Sequence, residues 1–175
     1  MYKQRSKTKE PQNELKAYEY AVFLLSLQLR TVGEVKEKME KRGYASNIIA
    51  HTITQLTDQK YLNDERYAEV YLNNLKQYKH LGYYGIKRKF MAKKLPSEII
   101  EKVLSEGLPL EDELKIAKRL LKKEGVVAKE SDDDSVVSDN SYRTYNSEQS
   151  KDKQKLSAKL KSRGFRGEII AQLLR

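Results

Sequence analysis

Apolar positions recur along this chain at the three- and four-residue spacing of a helix, and the pattern itself comes back. Setting Ile48-Ile49 on Ile99-Ile100 and on Ile169-Ile170 gives offsets of 51 and 121. At those offsets Val35, Ile86 and Leu156 coincide, as do Met39, Phe90 and Leu160. Tyr44, Leu95 and Phe165 also fall together, and so do Ile53, Leu104 and Leu174. Each copy predicts two short helices. In the first copy Thr31 with Glu34 spells a capping box, and Val35 and Met39 share the face behind it. Gly43 stands where a helix wants a left-handed residue to end on. Ser46 is the expected cap of the next helix, with Ser97 and Gly167 in the same place. Ile48, Ile49, Thr52, Ile53 and Leu56 give that helix its buried stripe.

A longer amphipathic segment precedes each pair: "LKAYEYAVFLLSLQL" from Leu15, "DERYAEVYLNNLKQY" from Asp64 and "EDELKIAKRLLKKEG" from Glu111. Internal repetition of this kind argues for stacked units that bury a core only together. The expected fold is therefore all-α, an elongated array of three tandem three-helix repeats. The first repeat spans residues 13–62, the second 63–110 and the third 111–175. A basic tail at 1–12 is expected to be disordered. The third repeat is interrupted at about 128–150 by "KESDDDSVVSDNSYRTYNSEQS", which lacks helical periodicity and reads as a flexible acidic insertion.

Composition narrows the function. Lys and Arg outnumber Asp and Glu by 35 to 25, a formal charge of +10. Residues 130–150 hold six acids against Arg143, a net of −5, so the remainder carries +15. A surplus of that size suits a polyanionic partner. No cysteine is present, which removes disulfides, thiolate metal sites and cysteine nucleophiles. His51 and His80 have no partner at metal-ligand spacing, and neither a phosphate-binding glycine loop nor a nucleophile elbow occurs. No enzyme activity, cofactor or metal is expected. The longest apolar run, "AVFLL", is too short for a bilayer, and the N-terminus lacks an apolar signal region. A cytoplasmic protein without membrane contact is expected.

Three stretches carry a family resemblance: "YLNDERYAEVYL" from Tyr61, "KRGY" from Lys41 and "SRGFRGEIIAQLL" from Ser162. In that order and spacing, over residues 15–125 and 151–175, the sequence resembles the RecX family of bacterial recombinase regulators. The resemblance implies an elongated all-helical protein, expected as a monomer. It would bind the RecA filament on single-stranded DNA and restrain ATP hydrolysis and strand exchange without chemistry of its own. Double-stranded DNA is a further partner it leaves open. It also implies a place in homologous recombination, DNA repair and the SOS response. One departure is local, since the second copy has Lys94-Leu95 where a glycine-led step is expected.

Two basic positions recur in all three copies, Lys38 with Lys89 and Lys159, and Arg42 with Lys93 and Arg163. Each pair is spaced i, i+4 and shares a helix face. They form either a stripe for phosphates or an acidic filament wall, or long stems lying over the edge of the core. Around "YKHLGYYGIKRKF" from Tyr78, Lys87 and Arg88 join Lys89 as candidate contacts, with Tyr83 and Tyr84 as candidate base-stacking rings. The alternative for the two tyrosines is a helix–helix corner. Asp64, Glu65 and Arg66 read as a helix start with no further role.

Two mechanisms fit a filament regulator equally, bridging of successive subunits and capping of a growing end. A direct DNA-binding helical-repeat protein with no obligatory recombinase partner is the alternative, and a scaffold for an acidic protein a third. The acidic insertion could fold onto the basic stripe and compete with DNA, or serve as a solvated tether.

Overall fold

A computed structural model describes residues 7–123 and 152–174. The acidic insertion lies outside the described residues. Among those residues there are nine helices and no strand. In chain order they are α1 (Glu14–Leu27), α2 (Val32–Arg42), α3 (Ser46–Asp58), α4 (Asp64–Tyr78), α5 (Tyr83–Ala92), α6 (Ser97–Gly107), α7 (Leu110–Lys123), α8 (152–163) and α9 (Gly167–Leu174). The long segment predicted from Asp64 matches α4 residue for residue. The described residues fall into two compact units, one drawn from 7–71 and 89–103, the other from 72–88, 104–123 and 152–174.

In the first unit α1, α2 and α3 pack pairwise. Ala17 and Ala21 on α1 are fully buried, and side chains this small let the neighbouring helices come close. Val35 and Met39 of α2 and Ile48, Ile49 and Leu56 of α3 complete the core. The capping box forms as the sequence predicts: Glu34 N–H donates to Thr31 Oγ1, and the Glu34 carboxylate accepts from the Thr31 N–H. Ser46 does not cap. It is the first residue of α3, and Ala45 ahead of it offers no side-chain acceptor. Just ahead of the helix, Ala45 N–H donates to Pro11 O at 3.1 Å. Of the expected tail, residues 1–6 lie outside the described residues, whereas residues 7–12 run beside the ends of α2 and α3.

The ends of α2, α5 and α8 explain how Lys94 replaces a glycine. Gly43, Lys94 and Gly164 occupy equivalent positions and all adopt left-handed backbone, with φ of 92°, 58° and 80°. The residue after each donates its N–H back to the helix, Tyr44 to Met39, Leu95 to Phe90 and Phe165 to Leu160. The helix terminus is thus the same in all three. In the middle copy a lysine holds it against a steric preference that glycine does not feel.

The second unit buries Leu72, Leu75, Ile86, Leu104 and Leu108 together with Ile116, Leu120, Leu160 and Phe165. Helix α7 packs on α9, where Ile169 and Ile170 face inward. Gly82 is required here by proximity. A Cβ at that position would stand 2.3 Å from the Phe165 Cα.

Candidate functional site

The recurring basic positions behave differently from each other. In the first position Lys89 and Lys159 are exposed, and Lys38 is half-buried. In the second, all three cations are half-buried. The Arg42 guanidinium lies 5.5 Å from the centre of the Tyr20 ring, and Lys93 Nζ lies 5.9 Å from that of Tyr71. Tyr20 and Tyr71 are themselves separated by the repeat offset of 51. Lys93 also meets the Glu34 carboxylate at 2.9 Å, and that hydrogen bond is the largest cause holding its ammonium pKa above the ordinary value. The Arg163 Nη1 approaches Lys79 O at 3.5 Å, a weak contact. Arg42 and Lys93 are therefore committed to rings and a carboxylate of their own unit, the stem-over-core arrangement the spacing allowed. Lys89 and Lys159 are exposed, and a polyanion can reach them.

The basic aromatic segment divides in the same way. Tyr83 is half-buried, with the Arg166 guanidinium 5.1 Å from its ring centre. Tyr84 meets it edge-on at 5.2 Å but is itself 52% exposed. Of the two candidate stacking rings, Tyr84 presents the open face. Arg88 is exposed and donates from Nη2 to Ser162 O at 3.3 Å, and Lys87 is half-buried. Both belong, with Lys159 and Arg163, to the second unit, whereas Lys38, Arg42, Lys89 and Lys93 belong to the first.

Two buried carboxylates do more than the sequence suggested: Asp64, read only as part of a helix start, and Glu113, which was passed over. Asp64 accepts the Val32 N–H at 2.8 Å, at the start of α2. Burial is the chief cause that pushes its pKa up, and the Glu34 charge adds to the shift. Glu113 is fully buried and accepts the Tyr83 N–H at 3.0 Å, at the start of α5. It also takes the Arg166 N–H at 2.9 Å and pairs with the Arg166 guanidinium, which donates in turn to Leu108 O. A signal for this pair was present. Arg166 stands where the other copies have Ala45 and Pro96, so a cation there departs from the repeat.

Beside the carboxylates, each unit repeats one contact. The Thr31 hydroxyl donates to Lys93 O at 2.6 Å, so the start of α2 meets the end of α5. Gly82 N–H donates to Arg163 O at 3.2 Å and Tyr84 N–H to Gly164 O at 2.8 Å, so the start of α5 meets the end of α8. Amide-rich helix starts on carbonyl-rich helix ends are electrostatically favourable.

Among the described residues no group of His, Asp and Glu could hold a metal ion. No described helix is long and apolar enough to cross a membrane. The surface offers exposed cations, the exposed rings of Tyr61, Tyr78 and Tyr84, and exposed apolar side chains at the two ends of α1, where Leu15 is 68% and Leu27 47% exposed, with Leu29 just beyond it at 67%.

Comparison with known proteins agrees with the fold. Residues 17–56 match the first three-helix domain of RecX and residues 63–104 match the second. The chain is 31% identical over 113 residues to regulatory protein RecX of Bacillus subtilis (strain 168), covering 62% of this chain and 42% of that protein. It is 33% identical over 106 residues to regulatory protein RecX of Streptococcus mutans, covering 59% and 40%. The chain thus spans about two fifths of the length of the curated relatives it matches. A crystal structure of RecX from Lactobacillus salivarius superposes with a TM-score of 0.68 at 24% identity, covering 92% of this chain and 94% of that one. A crystal structure of regulatory protein RecX gives 0.69 at 19% identity, covering 89% and 68%. Residues 17–104 belong to the RecX family.

Proposed function

We propose that the chain is a non-catalytic regulator that binds the RecA recombinase filament on single-stranded DNA and restrains its ATPase and strand exchange. The observation that carries this reading is the pair of RecX domains in family order across residues 17–104. The proposal includes a third three-helix repeat made by α7, α8 and α9, a monomeric cytoplasmic protein, and a place in recombinational repair and the SOS response. The contacts we assign to the partner are the exposed cations Lys89, Lys159 and Arg88 and the open ring of Tyr84. Lys38, Lys87 and Arg163 are secondary contacts. Arg42 and Lys93 support their own units. The exposed apolar side chains Leu15, Leu27 and Leu29 favour a protein partner over bare nucleic acid, because apolar contact survives salt that strips phosphate contacts.

The deciding measurement is single-strand-dependent ATP hydrolysis by a bacterial RecA while this protein is titrated in, beside fluorescence anisotropy on the bare strand. Inhibition well below the concentration that coats the strand is expected. Inhibition only once the strand is coated would replace the filament regulator with a direct DNA-binding protein. Within that assay Tyr84→Ala should weaken binding by about 1–3 kcal/mol if a base stacks on the ring. Lys89→Glu should lower the salt dependence of binding by about one phosphate contact.

A further inference from the structure

The backbone carbonyls of Arg42, Lys93 and Arg163 occupy equivalent places, each next to the left-handed residue that ends its helix. Two of them receive the start of another helix of the same unit, through the Thr31 hydroxyl and the Gly82 N–H. The third, Arg42 O, is met by residues that form no helix: Thr8 N–H donates to it at 2.8 Å. The likeness continues one step on. Arg166 N–H is taken up by the Glu113 carboxylate, and the equivalent Ala45 N–H is taken up by Pro11 O at 3.1 Å. Pro96, the third equivalent, has no N–H to satisfy.

Between the two backbone contacts stands Glu10. Its carboxylate accepts from Asn13 Nδ2 at 2.8 Å and pairs with the Lys16 ammonium. Asn13 lies at the position equivalent to Asp64, the carboxylate that serves the start of α2. Gln12 adds a long contact to Asn47 Nδ2 at 3.4 Å. Residues 7–12 therefore place an amide donor, a carboxylate and a carbonyl acceptor against the end of α2. Elsewhere in the chain a packed helix start does that work. Unlike the helix starts, residues 7–12 are mostly exposed, with no buried apolar side chain to anchor them.

We propose that the end of α2, formed by Arg42 O, Gly43, Ala45 and Asn47 with Asn13 and Lys16 beside it, is a binding socket for an extended peptide. Its ligand presents a backbone N–H, a carboxylate two residues on and a carbonyl at the next residue. Residues 7–12 fill this socket in cis as a detachable strap. The inference does not depend on the recombinase reading.

The test uses the full chain and its Thr8→Pro/Glu10→Ala variant, which removes the amide donor and the carboxylate. The probe is the acetylated and amidated heptapeptide Lys-Thr-Lys-Glu-Pro-Gln-Asn, followed by the backbone amide signals of Gly43, Ala45 and Asn47. The variant is expected to fold, with shifts from wild type confined to those amides and their neighbours. Peptide at millimolar concentration should return them toward their wild-type positions, and a peptide carrying the same two changes should not. In the wild type the Ala45 amide should exchange with solvent at least tenfold faster than that of Met39. Unshifted amides in the variant would overturn the proposal, as would a peptide that moves nothing or moves wild type equally. A variant that fails to fold would overturn it too, because a strap that detaches is not needed by the helices beneath it.

Discussion

The start of α2 in the first unit and the start of α5 in the second make the same connection with different chemistry. Each docks on the end of another helix, and each hands its first free N–H to a buried carboxylate. In the second unit that carboxylate, Glu113, is matched by Arg166, two amides and the ring of Tyr83. In the first unit Asp64 accepts the Val32 amide, and the nearby Lys93 pairs with Glu34 instead. The backbone closes with glycine in the second unit and with lysine in the first. The backbone pattern of the repeat is therefore kept while its side-chain support varies. Support by a buried ion pair is the arrangement that fails hardest when one partner is lost.

Removing the cation from the second connection should give the largest effect. Arg166→Ala leaves a fully buried Glu113 without its charge partner and should cost about 3–5 kcal/mol in urea unfolding. Adding Glu113→Gln to that variant should restore part of the loss, since the amide oxygen can still accept from Tyr83 N–H. A double variant no better than Arg166→Ala would show that the arginine acts by packing alone. The left-handed position distinguishes the units next. Lys94→Gly should stabilise the first unit by about 1 kcal/mol, because glycine meets no steric cost at a φ of 58°. The half-exposed Lys94–Glu37 pair lost with it contributes little. Unfolding of the variant at lower denaturant than wild type would contradict this.

The smallest effect concerns Asp64 and is read best as a trend. Its folded pKa is raised above the ordinary value of 3.8, so the folded chain holds the proton more tightly than the unfolded one. Stability from this group is present below pH 3.8 and is lost as pH rises through the folded pKa. Asp64→Asn lacks that dependence. Wild type should accordingly gain on the variant as pH falls from 7 toward 4, in paired denaturation curves. A wild type that loses ground to the variant as pH falls would reverse the assignment. No such gain is expected from Asp112 in the second unit, whose pKa is held down chiefly by Lys76, so that its stabilising contact weakens on acidification.

Much of this was legible beforehand because it is local. The capping box at Thr31 and Glu34, the left-handed Gly43 and the span of α4 rest on residues within one helical turn of each other. Lys94 was not legible: it broke the glycine-led step and so pointed to a different helix end, yet its backbone turns left-handed as at Gly43 and Gly164. Glu113 was passed over, since the cation that permits its burial is 53 residues distant. For the basic stripe, the identity of the recurring cations was visible and their loyalties were not. The matching tyrosines at 20 and 71, over which Arg42 and Lys93 lie, were the missed clue. Residues 7–12 gave no periodic signal because Thr8 and Pro11 bind through backbone atoms, which every sequence possesses.

The cations placed over tyrosine rings also equip the molecule with its own optics. The chain has 12 tyrosines and no tryptophan, so its near-ultraviolet spectrum is a tyrosine spectrum. Tyr71 sits beneath Lys93 in one unit and Tyr83 beneath Arg166 in the other. A positive charge held against a ring shifts its absorption and emission, and withdrawing that charge reverses the shift. Replacing either tyrosine with phenylalanine removes that ring alone from the spectrum, and the difference from wild type reports its connection. The two connections can thus be watched coming apart separately, by light alone and without a label.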